Sequence, residues 1–238
     1  MATWDDVPHL TTQQKEDLWD GIPPYQRDAR SKGVPQLGSG AIYPVAESSI
    51  TVDPFEIPVH WPRAFGMDTG WNKTAGIWGA WDRESDTIYL YSEYYAGKVE
   101  PPIHADGFKA RGSWIPGAAD AAATNQDDGV KVLDIYVGLG LDIVLPNKAV
   151  EAGIYCVWQR LSTGRLKVFK TLPNWLGEFR LYRRDEKGKV VKERDHLMDA
   201  MRYLVMTGMA RGITPVAADE EYEDSDNYVT GRNRTTGY

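Results

Sequence analysis

The sequence predicts an α/β fold in which helices flank a mixed β-sheet, and two observations carry that reading. Residues 63–68, 75–81 and 86–95 are rich in aromatics and short apolar runs. Turn signals at Gly70-Trp71-Asn72 and Asp82-Arg83-Glu84-Ser85 separate them, the pattern of three consecutive antiparallel strands. From residue 103 onward, helical and strand-like stretches alternate, and the two patterns together describe one mixed sheet.

The elements follow in order. Residues 1–62 carry eight prolines and the stretch Gly38-Ser39-Gly40. Proline fixes φ and removes a donor, so this region reads as an extended connector with one short helix near Thr12 to Trp19. After the three strands, a helix is expected at 103–111, a short strand at 114–119 and a helix at 128–139. A strand at Asp142-Ile143-Val144-Leu145 is closed by Pro146. In the helix expected at 149–161, Val150, Ile154, Val157, Trp158 and Leu161 keep helical spacing. A strand at 166–171, a helix at 174–182 and a hairpin-like turn at Lys187-Gly188 lead to a final strong helix at 196–210. The stretch 219–226 is acidic, and the tail around it is polar and aperiodic enough to be disordered. The expected organisation is a connector over 1–62, one α/β domain over 63–211 and a tail over 212–238.

The 238 residues suit one domain with appendages. A single cysteine, Cys156, rules out an internal disulfide, and no apolar run approaches the roughly 18 residues of a membrane span. The net charge of −7 speaks against a polyanionic partner until it is resolved along the chain. Residues 1–158 hold 12 basic and 22 acidic side chains, residues 159–211 hold 13 and 6, and residues 212–238 hold 2 and 6. A basic segment therefore lies between two acidic ones, which fits either a surface facing a polyanion or an ordinary solvated face.

Three places carry candidate chemistry. Asp68 ends the first strand beside Thr69-Gly70, where a carboxylate suits a hard cation, although Asp-x-Gly also begins ordinary turns. Asp120 follows a short strand among alanines and reads equally as a helix cap. Asp195 and Asp199 lie four apart at the start of the last helix, on one face. Helix capping and the helix dipole account for both without a ligand, and the apolar stripe of Leu197, Met201, Leu204 and Gly208 lies away from them. Acids at the ends of separate elements, with a basic segment nearby, together meet the requirement of two-metal phosphoryl transfer. His9, His60, His104 and His196 are scattered without zinc spacing. No Gly-x4-Gly-Lys-Ser/Thr phosphate loop and no Gly-x-Ser-x-Gly nucleophile elbow occurs.

The order of motifs resembles the C-terminal nuclease domain of tailed-bacteriophage large terminase subunits. The likeness rests on Phe65-Gly66-Met67-Asp68-Thr69-Gly70, Lys148-Ala149-Val150-Glu151-Ala152-Gly153-Ile154, Glu178-Phe179 before Tyr182, and Asp195-His196-Leu197-Met198-Asp199-Ala200-Met201-Arg202-Tyr203. Gly33-x-Pro35 and Gly38-Ser39-Gly40-x-x-Tyr43-Pro44 look like the connector from the ATPase motor, so the similarity spans about residues 33–211.

The resemblance implies an RNase H-like fold and metal-dependent endonucleolytic cutting of concatemeric double-stranded DNA during genome packaging in the host bacterial cytoplasm. It implies two Mg²⁺ ions, with Mn²⁺ able to substitute. Asp68, Asp120 and Asp199 would be catalytic metal ligands and Asp195 an accompanying ligand, while Asp127 and Asp128 compete with Asp120. Lys148 matches a family position. Arg180, Arg183, Arg184, Lys187, Lys189 and Lys192 are the candidate DNA contacts. The implied partners are DNA and, in the full-length protein, an ATPase motor domain, the capsid portal and the small terminase subunit. With no phosphate loop present, the expectation that follows from the resemblance is a fragment detached from that motor. Two rival readings remain: another RNase H-like nuclease such as a junction resolvase, and a non-catalytic module that docks on the portal or holds DNA.

Overall fold

The computed structural model describes residues 11–20, 40–120 and 132–215. Helix α1 (Thr12–Asp20) matches the short helix expected there. A short helix α2 (Glu47–Ile50) leads into strand β1 (Thr51–Val52), and the antiparallel meander follows as β2 (Arg63–Asp68), β3 (Thr74–Asp82) and β4 (Thr87–Ala96). Then come α3 (Pro101–Lys109), β5 (Gly117–Asp120), α4 (Val132–Gly138), β6 (Ile143–Val144), α5 (Val150–Ser162), β7 (Leu166–Phe169), α6 (Pro173–Leu181) and α7 (His196–Met206). A short 3₁₀ turn, Gly208–Arg211, follows, and beyond it Ile213 bridges to Arg63 at the start of β2.

The seven strands form one mixed sheet in the order β1-β7-β4-β3-β2-β5-β6. Its middle is the antiparallel meander, and β7 and β5 join the two sides in parallel. Side chains alternate along β2. Ala64 belongs to the core that includes Val157 of α5, Trp175 of α6 and Leu197 of α7, whereas Phe65 and Met67 belong to the one that includes Ala105 and Phe108 of α3 and Tyr136 of α4. The sheet is therefore covered on both faces, which explains why β3 is apolar almost throughout rather than alternating.

Three differences from the sequence reading have physical causes. Residues 40–62 do more than connect: Ile42, Tyr43 and Ile50 are buried in the main core, and β1 extends the sheet beside β7. Strand β5 starts at Gly117 rather than 114, because Pro116 has no donor and offers only its carbonyl, to the Phe65 amide at 3.0 Å. The final helix stops at Met206, where Thr207 leaves helical geometry at φ −139° and ψ −49°. Gly208 then passes so close to β2 that a Cβ there would lie 2.9 Å from the Phe65 carbonyl oxygen. Residues 121–131, which include Asp127 and Asp128, and residues 216–238, which include the acidic stretch, lie outside the described residues, as do 1–10 and 21–39. No helix among the described residues is long and apolar enough to cross a membrane.

Candidate active site

Strand register brings the first two aspartates together. Strands β2 and β5 run parallel with Asp68 opposite Asp120 and Gly66 opposite Ala118, so the two acids end adjacent strands and point to the same face. Helix α7 crosses that face and delivers the third. Its close approach depends on Gly66, whose ideal Cβ would sit only 1.9 Å from the Ala200 carbonyl oxygen. Asp199, the neighbour of Ala200, is thereby brought beside β2. Asp68 senses the charges of both Asp199 and Asp120, and Tyr203 senses all three.

Each carboxylate already holds a cationic or hydrogen-bonding partner. Asp68 Oδ2 lies 2.9 Å from His196 Nδ1. Asp120 accepts a hydrogen bond from the Tyr203 hydroxyl at 3.2 Å and pairs with Lys148 Nζ at 2.5 Å. Asp199, only 8% exposed, accepts from Lys192 Nζ at 2.8 Å and from Arg202 at 2.6 Å. Asp195 is also buried and lies 2.9 Å from the same Lys192 nitrogen. Among the described residues, no three His, Cys, Asp or Glu side chains form a ready cage for a metal ion.

The electrostatics follow from this crowding. Burial pushes the Asp68 carboxyl up from the ordinary range, the hydrogen bond with His196 pulls it down, and the charges of Asp199 and Asp120 push it up again. The bond to Asp68 in turn raises the His196 imidazole, against its burial. Burial opposes charge on Lys192, but Asp199 and Asp195 outweigh it and hold the ammonium above the usual lysine range. Tyr203 is kept protonated by burial and by the neighbouring carboxylates.

The sequence reading made Asp195 a natural cap for the last helix. It does occupy the N-cap position, but its side chain makes no capping hydrogen bond. Glu178 of α6 supplies the cap: its Oε2 accepts from the Leu197 amide at 2.6 Å and the Met198 amide at 3.3 Å, and its Oε1 from the Tyr95 hydroxyl at 2.8 Å. Glu178 was missed as a site residue, although a signal existed. It falls at helical spacing on the face of Trp175 and Phe179, and an acid on a buried face needs a partner.

Burial raises the Glu178 carboxyl from 4.5 to about 7 despite the hydrogen bonds from Tyr95 and the two amides, which lower it. A raised carboxyl stabilises the fold in its protonated form. That contribution is fully present below about pH 4.5 and is lost as pH rises toward 7. Glu178→Gln cannot ionise and should remove this dependence. In urea unfolding, the wild type is expected to lose up to about 3 kcal/mol relative to the variant between those two pH values. A constant offset between the two proteins would contradict it.

The expected DNA contacts separate into two groups. Lys148 and Lys192 sit on the aspartates, Arg180 holds Glu47 through two hydrogen bonds of 2.7 and 2.6 Å, and Arg184 holds Glu151 at 2.9 and 2.6 Å. Arg183, Lys187 and Lys189 lie on a small hairpin held by a bridge between Arg184 and Val190, with Gly188 supplying the positive φ of the turn.

Residues 65–207 match the family model described as the terminase RNase H-like domain. The chain is 33% identical over 231 residues to the terminase large subunit of Salmonella phage P22, a match covering 91% of this chain and 46% of that protein. It is 34% identical over 212 residues to the large subunit of Enterobacteria phage LP7, covering 83% and 44%. The chain thus spans about half the length of the curated relatives it matches. Among solved structures, the nuclease domain of the P22 large terminase superposes with a TM-score of 0.69 at 30% identity, covering 76% of this chain and 98% of that one. The chain belongs to the terminase RNase H-like domain family and has the fold of its nuclease domain.

Proposed function

We propose that the chain is a divalent-cation-dependent DNA endonuclease, the cutting domain of a viral packaging protein that acts on concatemeric double-stranded DNA in the host cytoplasm. One observation carries the reading: Asp68 and Asp120 stand in register at the ends of adjacent parallel strands, and α7 brings Asp199 onto the same face. The donor set fits a hard cation, since all its ligating atoms are carboxylate oxygens and the cluster already attracts Lys148 and Lys192 as compensating charge. Asp68, Asp120 and Asp199 would hold two Mg²⁺ or Mn²⁺ ions, with Asp195 alongside. Such ions supply activation of water and neutralisation of charge at the phosphodiester.

The chain's own residues do the rest. His196 orients the Asp68 carboxylate, Tyr203 orients that of Asp120, and Arg202 fixes that of Asp199 from the buried side. Lys148 and Lys192 are exposed enough to turn from carboxylate to DNA phosphate once cations occupy the cluster. In the full-length protein, an ATPase motor, the portal and the small terminase subunit would be the partners.

A plasmid-nicking assay tests the reading. Supercoiled DNA should be cut with Mn²⁺, EDTA should stop the cutting, and Asp68→Ala should slow it by about 10³-fold, on the scale of losing a main charge-stabilising group. Equal cutting by wild type and Asp68→Ala would sink it.

A further inference from the structure

We propose that two adjoining cavities beside Asp68, sharing Arg194, form a track for the sugar-phosphate backbone of the DNA strand next to the cut; this rests on the endonuclease reading. The first cavity, of about 510 Å³, is lined by Lys73, Asn72, Asn174, Tyr95, Arg194 and His196, and also by Glu178. His196 joins it to the aspartate cluster through its bond to Asp68. The second, of about 240 Å³, is lined by Arg194, Arg183, Leu181 and Val191, with Glu193 the acid among them.

The cations along this path differ from the others near the site. Lys148, Arg180, Arg184 and Lys192 are each committed to a carboxylate. Among the described residues, Lys73, Arg194 and Arg183 make no ion pair. Lys73 only rests over the Tyr95 ring, 4.3 Å from its centroid, so its ammonium keeps its attraction for an anion. The one acid lining the first cavity, Glu178, does not cancel this. Its carboxylate is turned into hydrogen bonds with two amides and a hydroxyl, and two cations, the exposed Arg194 and half-buried Lys73, stand against it in the lining.

Backbone geometry gives a second, independent observation. Arg194 stands in the left-handed region at φ +53°, a conformation that favours glycine and that an arginine adopts at a cost. It immediately precedes Asp195, the N-cap position of α7. The strained residue carries the one cation common to both cavities, and strain of this kind concentrates where a side chain has to be aimed at a ligand. Phosphate is the anion class that fits, because the three cations line two adjoining openings together with the Asn72 and Asn174 amides and the Tyr95 ring, a mixed lining suited to a chain of phosphates and sugars.

The strain makes the test clean. Arg194→Gly removes the cation and relieves the backbone, so its thermal midpoint should not fall, whereas damage to the fold would lower it. Binding to a fluorescent 20-base-pair duplex is measured by anisotropy with Ca²⁺ in place of Mn²⁺, over a range of salt. Arg194→Gly and Lys73→Met should each weaken binding at every sequence and lower the slope of log affinity against log salt by about 1, and the double variant by about 2. Wild-type binding with unchanged slopes in both variants would overturn the track and leave the endonuclease reading standing. Wild-type protein that neither binds nor cuts DNA would overturn both.

Discussion

Gly66→Ala is expected to destabilise the protein by on the order of 4 kcal/mol or more and to abolish cutting with it. The added methyl would meet the Ala200 carbonyl oxygen at 1.9 Å, the Ala200 carbonyl carbon at 2.9 Å and the Leu204 nitrogen at 2.8 Å. All three are helix backbone, so no side chain can rotate away; α7 itself must lift from β2. That movement would open the buried contacts of Leu197, Met201 and Leu204 and draw Asp199 away from Asp68. Gly177 provides the control. It lies inside α6, and a Cβ there meets nothing within 4 Å, so Gly177→Ala should gain roughly 0.5–1 kcal/mol from helix propensity. Urea unfolding of both variants checks the pair, and equal effects would show that the crossing at Gly66 is not tight.

Asp199→Ala should be nearly as damaging, for a different reason. Arg202 is 1% exposed, and its Nε and Nη1 already lack a partner among the described residues; Asp199 is the one carboxylate among them that pairs with it directly. Removing the carboxylate leaves a buried, uncompensated guanidinium, at a cost of about 3–5 kcal/mol. Asp199→Asn keeps the shape and an acceptor oxygen, so it should lose less stability while still cutting DNA at least about 10²-fold more slowly. Thermal unfolding beside plasmid nicking therefore separates the structural role from the catalytic one. An Asn variant that cuts at the wild-type rate would remove Asp199 from the chemistry.

Much of the fold was legible because local signals agreed with tertiary need. The aromatic strands of the meander, the turns between them and the 3.6-residue spacing of Ile154, Val157 and Leu161 all predict the elements found. What failed did so where a distant contact overrides a local rule. The prolines of the first 62 residues hide Ile42, Tyr43 and β1, whose partners lie in β7 and α6, more than a hundred residues away. The helical wheel set Asp195 and Asp199 apart from the apolar stripe, yet both are buried, because the polar edge of α7 meets the strand ends that carry Asp68 and Asp120.

Pairing between charges was the least legible feature. Arg180 and Arg184 looked like free cations, but Glu47 and Glu151, which engage them, are 133 and 33 residues distant. The unpaired cation that leads from the cluster, Arg194, drew no special notice beside them, since no sequence pattern reveals a positive φ at an arginine. The resemblance supplied Asp68, Asp120 and Asp199 as a set. Composition and spacing could name the acids but not show that a register of strands and one glycine bring them together.

The most direct test of the central claim is a crystal of this chain soaked in Mn²⁺ and measured for anomalous scattering. Peaks among the carboxylates of Asp68, Asp120 and Asp199, with Lys192 drawn off Asp199, are the expected result. A crystal at saturating Mn²⁺ with no peak in that cluster, and with Lys148 and Lys192 still on their aspartates, would contradict it.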